Sequence, residues 1–144
     1  VQQHYRDALD KGARQVSGAV PDGAQGNFVE PVLITEVNPS MQLCHEETFG
    51  PLAAVMPFDT EQQAIELANA TPYGLAAYFY SRDVHRCWRV AEALEAGIVG
   101  VNEGAISNPA APFGGVKASG LGREGSRHGL EEYTELKYLC MGAG

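Results

Sequence analysis

The sequence predicts an α/β fold built on a parallel sheet, and three observations carry that prediction. Apolar runs of strand length recur along the chain: "PLAAVMPF" at 51–58, "LAAYFY" at 75–80 and "IVGVN" at 98–102. A segment with helical periodicity separates each consecutive pair. The runs are near-continuously apolar rather than alternating, the pattern of strands covered on both faces.

Each element has a local reason. "VQQHYRDALDKGARQVSGA" (1–19) reads as a helix leading into a short strand, and "GAQGN" (23–27) as a turn. "FVEPVLITEV" (28–37) reads as a strand, with Pro31 placing part of it at an edge or a bulge because proline has no N–H to donate. In "DTEQQAIELANAT" (59–71), Thr60 and Gln63 have the T-x-x-Q spacing of a capping box, and Ala64, Leu67, Ala68 and Thr71 recur at helical spacing. Pro72-Tyr73-Gly74 ends that helix. Ser81 is the expected N-cap of the next one, whose apolar face carries Val84, Trp88, Ala91 and Leu94, and Gly97 is placed for a left-handed C-terminal cap. The stretch "SNPAAPFGGVKASGLGREGSRHG" (107–129) is rich in Gly, Pro and Ser, and a loop of that length points to function or an interface. A short helix near 124–132 and a strand-like "EYTELKYLCMG" (132–142) follow.

Composition narrows the function classes. A globular chain of 144 residues buries roughly 68–70% of its unfolded surface, and 44% hydrophobic with 19% charged residues is ordinary for a folded domain. The net charge of −8 has the wrong sign for a phosphate backbone and no Lys/Arg cluster interrupts it, so nucleic acid is not an expected partner. No apolar run approaches the ~20 residues of a membrane span, so no membrane partner is expected. Cys44, Cys87 and Cys140 are odd in number and widely spaced, which fits reduced thiols and a cytoplasmic setting. The four histidines show no paired spacing, so no metal site is expected. The first residues read as mid-helix, as in a piece of a longer protein.

Position in the fold suggests where chemistry sits. Ligands bind outside the carboxyl ends of strands in open α/β sheets, and the third strand delivers Asn102, Glu103 and a loop through Ser107, Asn108, Phe113, Gly114 and Gly115. That loop is either a pocket wall or a surface loop whose Phe113 plugs the core. "GLGREG" (120–125) lacks both the strand context of a dinucleotide fingerprint and the lysine of a P-loop, and reads as a turn. "EETFGP" (46–51) places two acids side by side; catalytic carboxylate pairs must converge, and neighbours in sequence usually diverge, so spacing alone leaves Glu46 and Glu47 between solvation and function. Cys87 and Cys140 read as packing residues. Cys44, beside His45, is the one tempting nucleophile, though a structural role suits it as well.

"EETFGP" at 46–51, "YGLAAYFYSRD" at 73–83, "GIVGVN" at 97–102 and "PFGGVKASGLGREG" at 112–125 closely resemble the C-terminal part of the aldehyde dehydrogenase superfamily. "ISN" at 106–108 and the ending "GLEEYTELKYLC" are most similar to its succinate-semialdehyde branch. The resemblance implies that residues 1–132 belong to the catalytic domain and that 133–144 form an oligomerisation strand, hence a homo-oligomer. It implies that Glu47 accepts hydrogen bonds from the ribose beside the nicotinamide of NAD or NADP and that Phe49 packs on that ribose and ring. It implicates Ser107 and Phe113 in the wall of a tunnel for a small-molecule semialdehyde, with Ser107 helping to hold its distal carboxylate. The family's reaction is thiolate attack, passing through a cysteine thiohemiacetal, then hydride transfer and thioester hydrolysis. Its nucleophile in a G-Q-x-C context, its base in an E-L-G-G-K context and its Rossmann-like domain do not occur in these 144 residues, so no catalytic residue is assigned and the isolated chain is expected to be inactive. Thr48 stands where isoleucine is commoner. A glutarate-semialdehyde enzyme, another branch of the family, or a non-catalytic binding or assembly module are the alternative readings.

Overall fold

The computed structural model describes residues 1–18 and 28–144, so the turn expected at 23–27 lies outside the described residues. The chain divides into two units, Val1–Thr71 and Pro72–Gly144.

In the first unit, helix α1 (Gln2–Asp10) buries His4, Tyr5 and Ala8. It closes in a Schellman pattern, with Gly12 N–H donating to the Leu9 carbonyl at 3.0 Å and Ala13 N–H to the Ala8 carbonyl at 2.8 Å. Strand β1 (Arg14–Ser17) follows and runs antiparallel to β2 (Val32–Thr35), with Arg14 opposite Thr35 and a register shift between Gln15 and Ser17. On its other side β2 pairs in parallel with β3 (Leu52–Ala54), Val32 opposite Leu52. Pro31 stands just outside the ladder, so the central strand loses no hydrogen bond to it. Val32 and Ile34 on β2 meet Tyr5, Ala8, Ala13, Val37 and Met41 in the core, and Ile34 and Met41 are fully buried. Burying side chains of this size stabilises by about 1.5–3 kcal/mol each.

Helix α2 (Glu61–Asn69) begins as its spacing predicts: Thr60 Oγ1 accepts the Gln63 N–H at 3.1 Å. The reciprocal bond runs one residue further back, since Gln63 Oε1 accepts the Asp59 N–H at 2.7 Å.

The second unit pairs β5 (Ala76–Phe79) in parallel with β6 (Ile98–Val101) in unbroken register. A two-residue strand β4 (Tyr73–Gly74) pairs antiparallel with β7 (Val116–Lys117). Helix α3 (Val84–Ala93) starts two residues later than Ser81 suggests, because Asp83 is the N-cap and takes the Arg86 N–H at 3.0 Å. Ser81 Oγ instead accepts the Asp83 N–H at 3.2 Å. Ala91 and Leu94 of the expected stripe face inward, but Cys87 and Val90 take the places of Val84 and Trp88, which are 62% and 68% exposed. Gly97 is not left-handed; a β-carbon there would press on the backbone of Gly114 and Gly115, so its smallness admits a close chain crossing.

Three further expectations change. Among the described residues the three apolar runs do not form one parallel sheet: the first joins β2, and the second and third pair with each other. Continuous apolar character fits a strand covered on both faces, yet Ala76 and Tyr78 on β5 are exposed, so hydropathy does not reveal the partner. Near 124–132 the helix is a 3₁₀ turn over His128–Tyr133. Residues 134–144 are exposed and form no ladder with the described residues, so "EYTELKYLCMG" is not a strand here, for want of a paired edge.

Candidate functional site

The stretch around "EETFGP" is held by α1. His4, Asp7 and Lys11 recur at i, i+3 and i+7, which lines them up along the helix. Lys11 Nζ donates to the Ser40 carbonyl at 2.7 Å, and Asp7 Oδ2 accepts the Gln42 N–H at 2.7 Å. His4 Nδ1 lies 2.6 Å from Thr48 Oγ1, and its Nε2 lies 3.3 Å from Glu46 Oε2. The Gln42 N–H, followed by the Lys11 ammonium, holds the Asp7 carboxyl below its ordinary value. A 3₁₀ turn, Gln42–Cys44, hands the chain from this contact to the acids.

From Glu46 to Phe49 only Thr48 is half-buried, and the other three residues are exposed. Glu46 and Thr48 both close on the imidazole of His4, which is only 8% exposed. Glu47 and Phe49 are both exposed, Phe49 to 92%. Glu47 makes no hydrogen bond or ion pair among the described residues. The adjacent acids therefore differ in their contacts: Glu46, its side chain still 60% exposed, reaches the imidazole, and Glu47 does not. An ionised carboxylate accepts hydrogen bonds only, and an exposed ring offers a flat apolar face, so the pair suits a ligand carrying vicinal hydroxyls next to a planar ring.

Cys44 is placed as a packing residue. Its Sγ donates to the Asn38 carbonyl at 3.4 Å and it packs against the core, where burial pushes its thiol pKa up.

The loop of the second unit starts from Asn102, whose φ of 56° turns the chain away from β6. Its amide holds both polar groups of one residue: Oδ1 accepts the Ser81 N–H and Nδ2 donates to the Ser81 carbonyl, each at 2.8 Å. The loop then folds back over Gly100, where a β-carbon would lie 2.6 Å from the Glu103 carbonyl oxygen and 3.0 Å from Ile106 Cγ2. With Ile106 half-buried, the next residue, Ser107, is exposed and makes no hydrogen bond among the described residues. Phe113 is half-buried and exchanges two backbone hydrogen bonds with Glu124, both 2.8 Å.

Phe113 lines an open groove of about 640 Å³ with Leu121, Arg123, Leu130 and Tyr133 among its walls, whereas Ser107 is not part of it. Arg123 serves the fold, donating from Nη1 to the Gly115 carbonyl at 2.8 Å and the Gly122 carbonyl at 2.7 Å, so "GLGREG" is a braced turn. Glu47 and Phe49 are thus both exposed on one short stretch, and Ser107 and Phe113 lie on one loop without a shared cavity. Apolar periodicity did not single out His4 or Asp7; the polar spacing of His4, Asp7 and Lys11 was the available signal. Among the described residues no cluster of three His, Cys, Asp or Glu could hold a metal ion, and no helix is long and apolar enough to cross a membrane.

Comparison with known proteins adds the family. Residues 1–139 match the model of the aldehyde dehydrogenase family. The chain is 58% identical over 99% of its length to a 3-sulfolactaldehyde dehydrogenase of Pseudomonas putida, covering 29% of that protein. It is 55% identical over 99% of its length to an Escherichia coli succinate-semialdehyde dehydrogenase [NADP(+)], covering 30% of it. The crystal structure of a succinate-semialdehyde dehydrogenase from Burkholderia pseudomallei superposes with a TM-score of 0.91 at 54% identity, over 97% of this chain and 29% of that one. The chain spans less than a third of the relatives it matches.

Proposed function

We propose, from the premise that this chain belongs to the aldehyde dehydrogenase family, that it is the C-terminal part of the catalytic domain of an NAD(P)-dependent enzyme oxidising succinate semialdehyde to succinate. The observation that supports this reading is that Glu47 and Phe49, two residues apart, are both exposed, and that Glu47 makes no hydrogen bond or ion pair among the described residues. The residues present fit a nicotinamide dinucleotide: Glu47 would accept from ribose hydroxyls through charge-assisted hydrogen bonds, and Phe49 would pack on the ribose and ring. When bound, that cofactor supplies the hydride acceptor. This chain's own share is to orient and to wall off. Glu47 fixes the sugar, Phe49 excludes water from one side, and Ser107 and Phe113 face the substrate, with the Ser107 hydroxyl free to hold a distal anionic group. The nucleophile, the general base and the dinucleotide-binding domain belong to the remainder of the enzyme. Residues 1–132 complete the catalytic domain there, and the exposed 133–144 segment serves as the strand that joins subunits.

In the full-length enzyme, Glu47→Gln should lower turnover with the loss concentrated in the hydride step. Hydrogen bonds to a charged group stabilise by about 1.5–3 kcal/mol, so the fall should be roughly 10- to 100-fold. Stopped-flow measurement of NAD(P)H formation checks this, and an unchanged rate removes the ribose role. The isolated 144 residues should show no turnover; aldehyde-dependent NAD(P)H formation by a pure sample would overturn that expectation.

A second substrate reading has its own support, since a relative at 58% identity is named for 3-sulfolactaldehyde. Both substrates pair an aldehyde with a distal anion, so a hydroxyl at position 107 suits either. Rates of the full-length enzyme with succinate semialdehyde, glutarate semialdehyde, 3-sulfolactaldehyde and an uncharged aldehyde separate the branches. Equal rates for all four would argue against any recognition of the distal anion.

A further inference from the structure

His4 is the buried polar side chain of the described core, and the proposed reaction gives it no task. A buried imidazole needs partners for both ring nitrogens, and both partners here come from one short stretch 42 and 44 residues away. A carboxylate can only accept, so Nε2 carries the hydrogen that faces Glu46, and in the neutral ring Nδ1 takes the Thr48 hydroxyl hydrogen. The two contacts fall on alternate residues. They therefore tie the segment to the ring at two points, which restricts its rotation more than a single contact would. The residues between and beyond them, Glu47 and Phe49, gain their direction from that constraint.

We infer that His4 is a positioning residue for dinucleotide binding, acting through Glu46 and Thr48 to aim Glu47 and Phe49 at the cofactor. The inference rests on the reading of Glu47 as a ribose ligand. It also gives a reason for threonine at position 48: a hydroxyl reaches the imidazole, and a purely aliphatic side chain there would leave Nδ1 without a partner.

The test is a double-mutant cycle in the full-length enzyme, read by fluorescence titration of bound NADPH and NADH rather than by activity alone. One neutral hydrogen bond corresponds to roughly a 3- to 10-fold change in Kd. Thr48→Val is expected to weaken binding by that factor while leaving the aldehyde KM unchanged, and Thr48→Ser is expected to bind like the parent. In the Glu47→Gln background, Thr48→Val should cost less than it does in the parent, because one of the two groups it aims has already been weakened. If Thr48→Val does not fold, His4→Gln takes its place in the cycle, since it keeps a donor toward Glu46 and loses the ring contact to Thr48. Parent-like binding by Thr48→Val, or factors that multiply fully in the double variant, would overturn the positioning role while leaving Glu47 as a ligand. Parent-like binding by Glu47→Gln would instead defeat the ribose contact, and the positioning role with it.

Discussion

Of the eight hydrophobic residues buried in the described chain, seven lie in Val1–Thr71 and one, Val90, lies in Pro72–Gly144. The first unit closes α1 over β2 around Ile34 and Met41. The second has an unbroken β5–β6 ladder, the amide of Asn102 across Ser81 and the paired backbones of Phe113 and Glu124, yet it leaves Tyr78, Trp88, Leu121, Tyr133 and Leu136 exposed. Backbone hydrogen bonding and apolar burial are separable: the ladder needs only two strands, whereas burial needs a second layer. A unit with the first and not the second presents a surface for something else to cover.

The contrast can be broken most directly by truncating one core residue in each unit. Ile34→Ala should destabilise the first unit by about 2–5 kcal/mol, and Val90→Ala should cost clearly less because it sits in a thinner shell. Denaturant-dependent hydrogen exchange on the 144-residue chain resolves the two units separately, and equal losses would mean that the second has a core of comparable quality. A smaller effect concerns association. The exposed edges and aromatic residues of the second unit should draw copies of the isolated chain together, giving a light-scattering mass above 15.4 kDa at high concentration. A strictly monomeric mass would show that the uncovered surface is tolerated.

The smallest effect sharpens the picture of the first unit. The Gln42 N–H and then the Lys11 ammonium hold the Asp7 carboxyl below its ordinary value of 3.8. Its stabilisation is therefore fully present above that value and fades as pH falls toward the folded-state value. Asp7→Asn should flatten the decline in the urea midpoint below about pH 4, and an unchanged acid slope would show that the contact with Gln42 is energetically idle.

Local chemistry was legible in the sequence where it is written by neighbours. The Thr60 and Gln63 spacing gave the start of α2, and the apolar runs gave β5 and β6. It was misleading where a distant surface decides. Trp88 looks like a core residue because indole is apolar, but its burial depends on a layer that the described residues do not contain. Gly97 looks like a helix cap because of its place, but a crossing chain at Gly114 requires it. At the candidate site, family resemblance pointed to Glu47 and Phe49. The contacts proposed to aim them join His4 to Glu46 and Thr48, 42 and 44 residues on, a separation that no window of local periodicity spans.

The two contacts of His4, with Glu46 and with Thr48, make chain length a tightly constrained property of that segment. Replacing one side chain alters one contact, whereas deleting one residue between the 3₁₀ turn and Gly50 shifts every later residue past the imidazole at once. Variation in this segment is thus expected to occur by substitution, with its residue count held fixed.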